Sequence, residues 1–194
     1  LGGKIMLYLD LLKSWKNSED VIKYLSEFEF DFDSARLIKN NFEKYNMYFP
    51  YLPDLETICS KKKGTCTHVV FFAVKTLNYI NRDYAAYGIR MRWECNYSMT
   101  NNICIWHEED KLKAFRFSTD NGGTLYLYKS DNIIDLHNRL VDEAYKSLQE
   151  KEMIKYGISV LDLRVFYDKR MQKAINFWGV DYGALARRKE DVNY

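Results

Sequence analysis

The period of the apolar and polar positions changes twice along the chain. Between residues 6 and 48 apolar side chains recur at intervals of three and four: Leu9, Leu12 and Trp15, then Val21, Ile22 and Leu25, then Leu37, Ile38 and Phe42. That spacing keeps returning to one side of a 3.6-residue helix, so this block predicts helices. Ser18 and Ser34 stand where N-caps are expected. Pro50 and Pro53 interrupt the pattern, and Lys61 to Lys63 lead through Gly64 into a second helical run, Cys66 to Ile80. Val69, Val70, Ala73, Leu77 and Ile80 share one face of that run, and Thr65 is its expected N-cap.

After Gly88 the period falls to two. Ile89, Met91, Trp93, Cys95 and Tyr97 alternate with Arg90, Arg92, Glu94 and Asn96, which predicts a half-buried strand. Two further strands, 103–107 and 112–118, flank the polar turn EEDK, and Asp120-Asn121-Gly122-Gly123 marks a turn before a fourth strand, TLYLY. From residue 131 onward the spacing is again mostly helical, through Ile134, Leu136, Leu140, Ala144 and Leu148, with Gly157, Gly179 and Gly183 as punctuation. The order predicts an α+β domain spanning 1–194. Its cysteine-headed central helix packs on an antiparallel sheet, and helical N- and C-terminal parts flank that unit.

Composition narrows the function classes. A chain of 194 residues with 47 % hydrophobic content carries enough apolar surface for one core. Lys+Arg 29 against Asp+Glu 27 leaves +2, too little net charge to draw the chain to nucleic acid or an anionic membrane. The interleaved RMRWECNY, 90–97, is the alternation of a strand rather than a base-stacking platform. No stretch reaches the roughly 18–20 apolar residues of a membrane span, and LGGKIMLYLDLL meets an acid too early for a signal peptide. The leading LGG reads as an appended sequence, with Met6 as the native start. A cytoplasmic protein with free thiols at Cys59, Cys66, Cys95 and Cys104 is expected, its partner a protein or peptide. Cofactors are not expected. The cysteine and histidine spacings, C-x6-C-x-H and C-x8-C-x2-H, lack the close pairs of structural zinc, and DNGG lacks the following helix and lysine of a phosphate loop.

Cys66 carries the candidate chemistry. As first residue of a helix it lies at unpaired N–H groups and a partial positive charge, which favour the nucleophilic thiolate and offer donors to an oxyanion. The motif GTC, 64–66, is followed by a helix, a strand and a strand pair ending in an acid. Over about residues 50–128 this order resembles the transglutaminase-like branch of the papain-like cysteine enzymes. The resemblance implies acyl transfer or peptide and amide hydrolysis through a thioester, with a cysteine nucleophile, a histidine base opening a downstream strand, and an aspartate on the next strand. Cys66 matches the nucleophile and Asp120 the acid.

The base is the open position. A hairpin turning near Glu109 and Asp110 sets Asp120 across from about Asn101, whereas His107 lies roughly 20 Å further along the strand. Asn101, or its neighbour Asn102, then stands where the resemblance calls for histidine, and an asparagine has no titrating nitrogen to act as base. A later turn, near Lys113, brings His107 opposite Asp120 instead. Two functions follow: a cysteine-dependent acyl transferase or hydrolase, or an inactive domain of the same fold that binds a protein partner through the Cys66 cleft. His68, two residues after Cys66, points about 200° away from it as a polar group of the first turn. His137 is expected at a solvated surface.

Overall fold

The computed structural model describes residues 8–45, 54–94, 98–148 and 155–161. Pro50, Pro53, Cys95, Gly179 and Gly183 lie outside the described residues.

The alternating segments form one antiparallel sheet of β3 (Tyr87–Glu94), β4 (Ser98–Glu108), β5 (Lys111–Ser118), β6 (Thr124–Ser130) and β7 (Lys155–Leu161), in the order β6-β5-β4-β3-β7. The β4–β5 hairpin turns at EEDK. Glu109 and Asp110 both take left-handed backbone angles, φ 52° and 56°, and Glu108 pairs with Lys111. Two successive positive φ values are the twist-matched two-residue hairpin turn. His107 therefore faces Leu112, and the later turn does not form. The C-terminal part also departs from expectation. Helical spacing was expected to continue beyond 148, but Lys155–Leu161 is a strand that extends the sheet beside β3, pairing Met91 with Ile158.

Helices cover both faces. On one lies α5 (Cys66–Ile80), surrounded by α1 (Tyr8–Ser14), α2 (Ser18–Leu25) and α4 (Leu55–Lys61); α3 (Phe32–Tyr45) follows α2 after a short strand. The sequence predicts one buried face for α5, yet Val69, Val70, Phe71, Phe72, Ala73 and Leu77 are all fully buried. The reason is the N-terminal block. Tyr8, Trp15, Tyr24 and Phe28 surround Phe72 with ring centroids 5.3, 6.3, 6.4 and 5.9 Å away, closing the side of α5 that the sheet leaves open. Burying a phenylalanine contributes about 1.5–3 kcal/mol, so this contact fixes the block to the core.

The other face carries α6 (Ile133–Leu148). Ile89, Ile103, Ile105, Ala114 and Tyr128 are buried there, as are Leu136 and Leu140 of α6. His137, expected in solvent, is also buried because it follows Leu136 on the covered side of α6. Two N-caps shift by one or more residues. Asn17, not Ser18, accepts the Asp20 N–H at 3.0 Å, and Asp31 accepts the Ser34 N–H at 2.9 Å. Ser18 becomes the first residue of α2, with its hydroxyl free for another partner. Among the described residues no helix is long and apolar enough to cross a membrane.

Candidate functional site

Cys66 is presented by a close junction of three segments. The short strands β1 (Glu29–Phe30) and β2 (Lys63–Gly64) pair in parallel, Glu29 with Lys63 and Phe30 with Gly64, and the Asp31 N–H donates to the Gly64 carbonyl at 3.0 Å. Gly64 has no room for a side chain, since a Cβ there lies 2.9 Å from the Cβ of His68. That approach lets the His68 ring fold back over the helix start, where its Nδ1 accepts the Thr65 N–H at 3.3 Å. Thr65 is the N-cap residue, as the sequence predicts, with extended angles of φ −77° and ψ 170°. Cys66 follows as the first helical residue, a free and half-buried thiol.

The sheet side of the thiol is supplied by β4. Successive side chains of a strand alternate faces, and Cys104 and Trp106 belong to the core around α5, so Asn102 and Glu108 fall on that same face. Asn102 is the residue that meets the helix start. Its Nδ2 donates to Thr67 Oγ1 at 2.6 Å and lies 3.6 Å from Cys66 Sγ. Asn101, placed opposite Met91, points to the other face, where its Oδ1 is buried with no hydrogen-bond partner among the described residues. The asparagine at the thiol is thus Asn102 rather than Asn101.

The other members of the expected constellation are elsewhere. His107 shares the parity of Asn101 and lies exposed beside the hairpin turn, lining an open depression with Glu109 and Asp110. Asp120 accepts hydrogen bonds from Tyr126 at 2.7 Å and Ser118 at 2.8 Å. Tyr126 pairs with Arg116, whose neighbours Phe115 and Phe117 face α5, so Asp120 is held on the opposite side of the sheet from Cys66. Those two hydroxyls hold its carboxyl below the usual aspartate value. Continuing the β4–β5 register one step past the Ile103–Arg116 pair sets Asn102 opposite Phe117. The place beside Asn102 is taken by a buried aromatic ring, not an acid.

Among the described residues the group that meets the thiol is a donor and not a base. Asn102 Nδ2 and the first N–H groups of α5 are hydrogen-bond donors, and an amide nitrogen accepts no proton. His68 is turned to Thr65. Burial pushes the thiols of Cys59 and Cys104 up, which leaves them poor nucleophiles. Among the described residues no three histidine, cysteine, aspartate or glutamate side chains converge to hold a metal ion.

No family model, curated protein or solved structure matches the chain. The reading of the site therefore rests on its own geometry. Thr67 and Asn102 are the residues that sequence reasoning passed over or left as an alternative. The signal for Asn102 was its parity with Cys104 and Trp106, obscured because Ile103 and Ile105 are apolar too.

Proposed function

We propose that this chain is a transglutaminase-like domain that has lost turnover and binds a protein or peptide partner at the Cys66 site. One observation carries the reading: the group facing Cys66 and Thr67 is the amide of Asn102, at 3.6 and 2.6 Å. Phe117 on the next strand agrees with it, because among the described residues a ring, not a carboxylate able to orient a base, stands opposite Asn102. Free Cys59, Cys66 and Cys104 fit the reducing cytoplasm.

The competing reading is cysteine-dependent acyl transfer through a thioester, favoured by the position of Cys66 at the first turn of a 15-residue helix. The two readings differ in one measurement. An activated ester, p-nitrophenyl acetate, is given to wild type, Cys66→Ser and Asn102→His. The binding-domain reading expects wild type to release nitrophenol no faster than Cys66→Ser, with Asn102→His raising alkylation of Cys66 by limiting iodoacetamide. A burst from wild type that Cys66→Ser abolishes establishes acyl transfer and overturns the proposal.

A further inference from the structure

The face of β4 that carries Asn102 ends at a second polar centre. Glu108 Oε2 accepts from Ser18 Oγ at 2.6 Å, from Lys113 Nζ at 2.8 Å and from Trp106 Nε1 at 3.2 Å, and Oε1 accepts from the Tyr84 hydroxyl at 3.3 Å. The Ser18 N–H donates to that same hydroxyl at 3.2 Å. Three separated segments, the start of α2, the 3-10 turn Arg82–Tyr84 and the tip of the β4–β5 hairpin, thus meet on one carboxylate.

We propose that Glu108 is a proton-operated latch: as a carboxylate it holds the start of α2 and the Arg82–Tyr84 turn against the hairpin tip, and protonation releases that corner. The chemistry is one of acceptor count. An ionised carboxylate serves all of these donors at once. A protonated one turns one oxygen into a donor and leaves the Lys113 ammonium without its counter-charge. The remainder of α2 is held by Val21 and Leu25, both fully buried and without titrating groups, so release is confined to the first turn. Burial pushes the Glu108 carboxyl up, but the hydrogen bonds from Lys113, Ser18 and Trp106 and the Lys113 charge outweigh it and hold the carboxyl below the ordinary glutamate value. The latch is therefore closed at neutral pH. Its contribution is complete above the unfolded value and is lost as pH falls through the folded one.

Other ionisable groups face the same corner. Glu109 and Glu19 act on Lys113, and Asp83, Tyr84, His107 and Asp110 line the adjoining depression of about 480 Å³. Because these groups share the corner with Glu108, the test compares variants rather than pH alone. Hydrogen-exchange protection of α2 and α5 in the full chain is followed from neutral pH to below 4.5, the ordinary glutamate value, for wild type, Glu108→Gln and Ser18→Ala. In wild type the first turn of α2 is expected to lose protection in acid while α5 keeps it. Glu108→Gln is expected to exchange there on the order of tenfold faster already at neutral pH, with no further acid step. Ser18→Ala keeps the carboxylate but removes one donor, and its opening moves to higher pH. Joint loss of protection in α2 and α5 in wild type, or wild-type protection at neutral pH in Glu108→Gln, overturns the latch. Should Glu108→Gln not fold, an acid midpoint unchanged by Ser18→Ala does the same.

Discussion

Asn102, in the middle of β4, and Glu108, at its end, lie on one face of the strand with Cys104 and Trp106 between them, and the two positions treat polarity in opposite ways. At Glu108 a half-buried full charge is surrounded by Ser18, Tyr84, Trp106 and Lys113. At Asn102 the chain sets a neutral amide against a thiol and a hydroxyl, with Phe117 alongside. A catalytic thiolate with its imidazolium is an ion pair and needs the first kind of environment. The molecule builds that environment about 20 Å away from Cys66, at a corner that joins helices to the sheet. The difference teaches that the donors and acceptors of this fold are spent on holding segments together.

The comparison is broken or sharpened by substitution. The largest effect is expected from Glu108→Leu, which strands Lys113 and the neighbouring donors; about 3–5 kcal/mol should be lost in urea unfolding, against about 1 kcal/mol for Asn102→Leu. Equal losses for the two variants would show that the two positions are not different in kind. Next comes Gly64→Ala, whose added carbon meets His68 at 2.9 Å; overpacking there should cost about 1–3 kcal/mol and lower the thermal midpoint. The smallest effect is expected at Asp120, an exposed carboxylate. Its pairing with Tyr126 and Ser118 adds stability above the ordinary aspartate value and loses it as pH falls, but Asp120→Asn should change stability at neutral pH by no more than about 0.5 kcal/mol. A larger loss would give Asp120 a structural weight that its surroundings do not suggest.

Local features were legible because they depend on neighbours in the chain. The apolar run after GTC predicts the helix that runs from Cys66 to Ile80, and EEDK predicts the hairpin turn that forms at Glu109 and Asp110. The choice between Asn101 and Asn102 was not legible. In a sheet covered on one face only, polar and apolar residues alternate and parity can be read directly; here α5 and α6 cover both faces, so NICIW is apolar almost throughout. The same second cover buries His137, which has polar neighbours in sequence. β7 escaped notice because its pairing partner, β3, is distant in sequence and an edge strand needs little of its own signal.

By itself, then, the order of residues determined the helix Cys66–Ile80, the four strands from Tyr87 to Ser130, the α+β class and the placing of Cys66 at a helix N-terminus, since each follows from periodicity and capping within a few residues. Only the tertiary structure decided which asparagine reaches the thiol, which carboxylate gathers donors from distant segments, and that Asp120 and His107 lie away from Cys66. Those outcomes depend on strand register and on contacts such as Ser18 with Glu108, 90 residues apart, where no local rule links the partners.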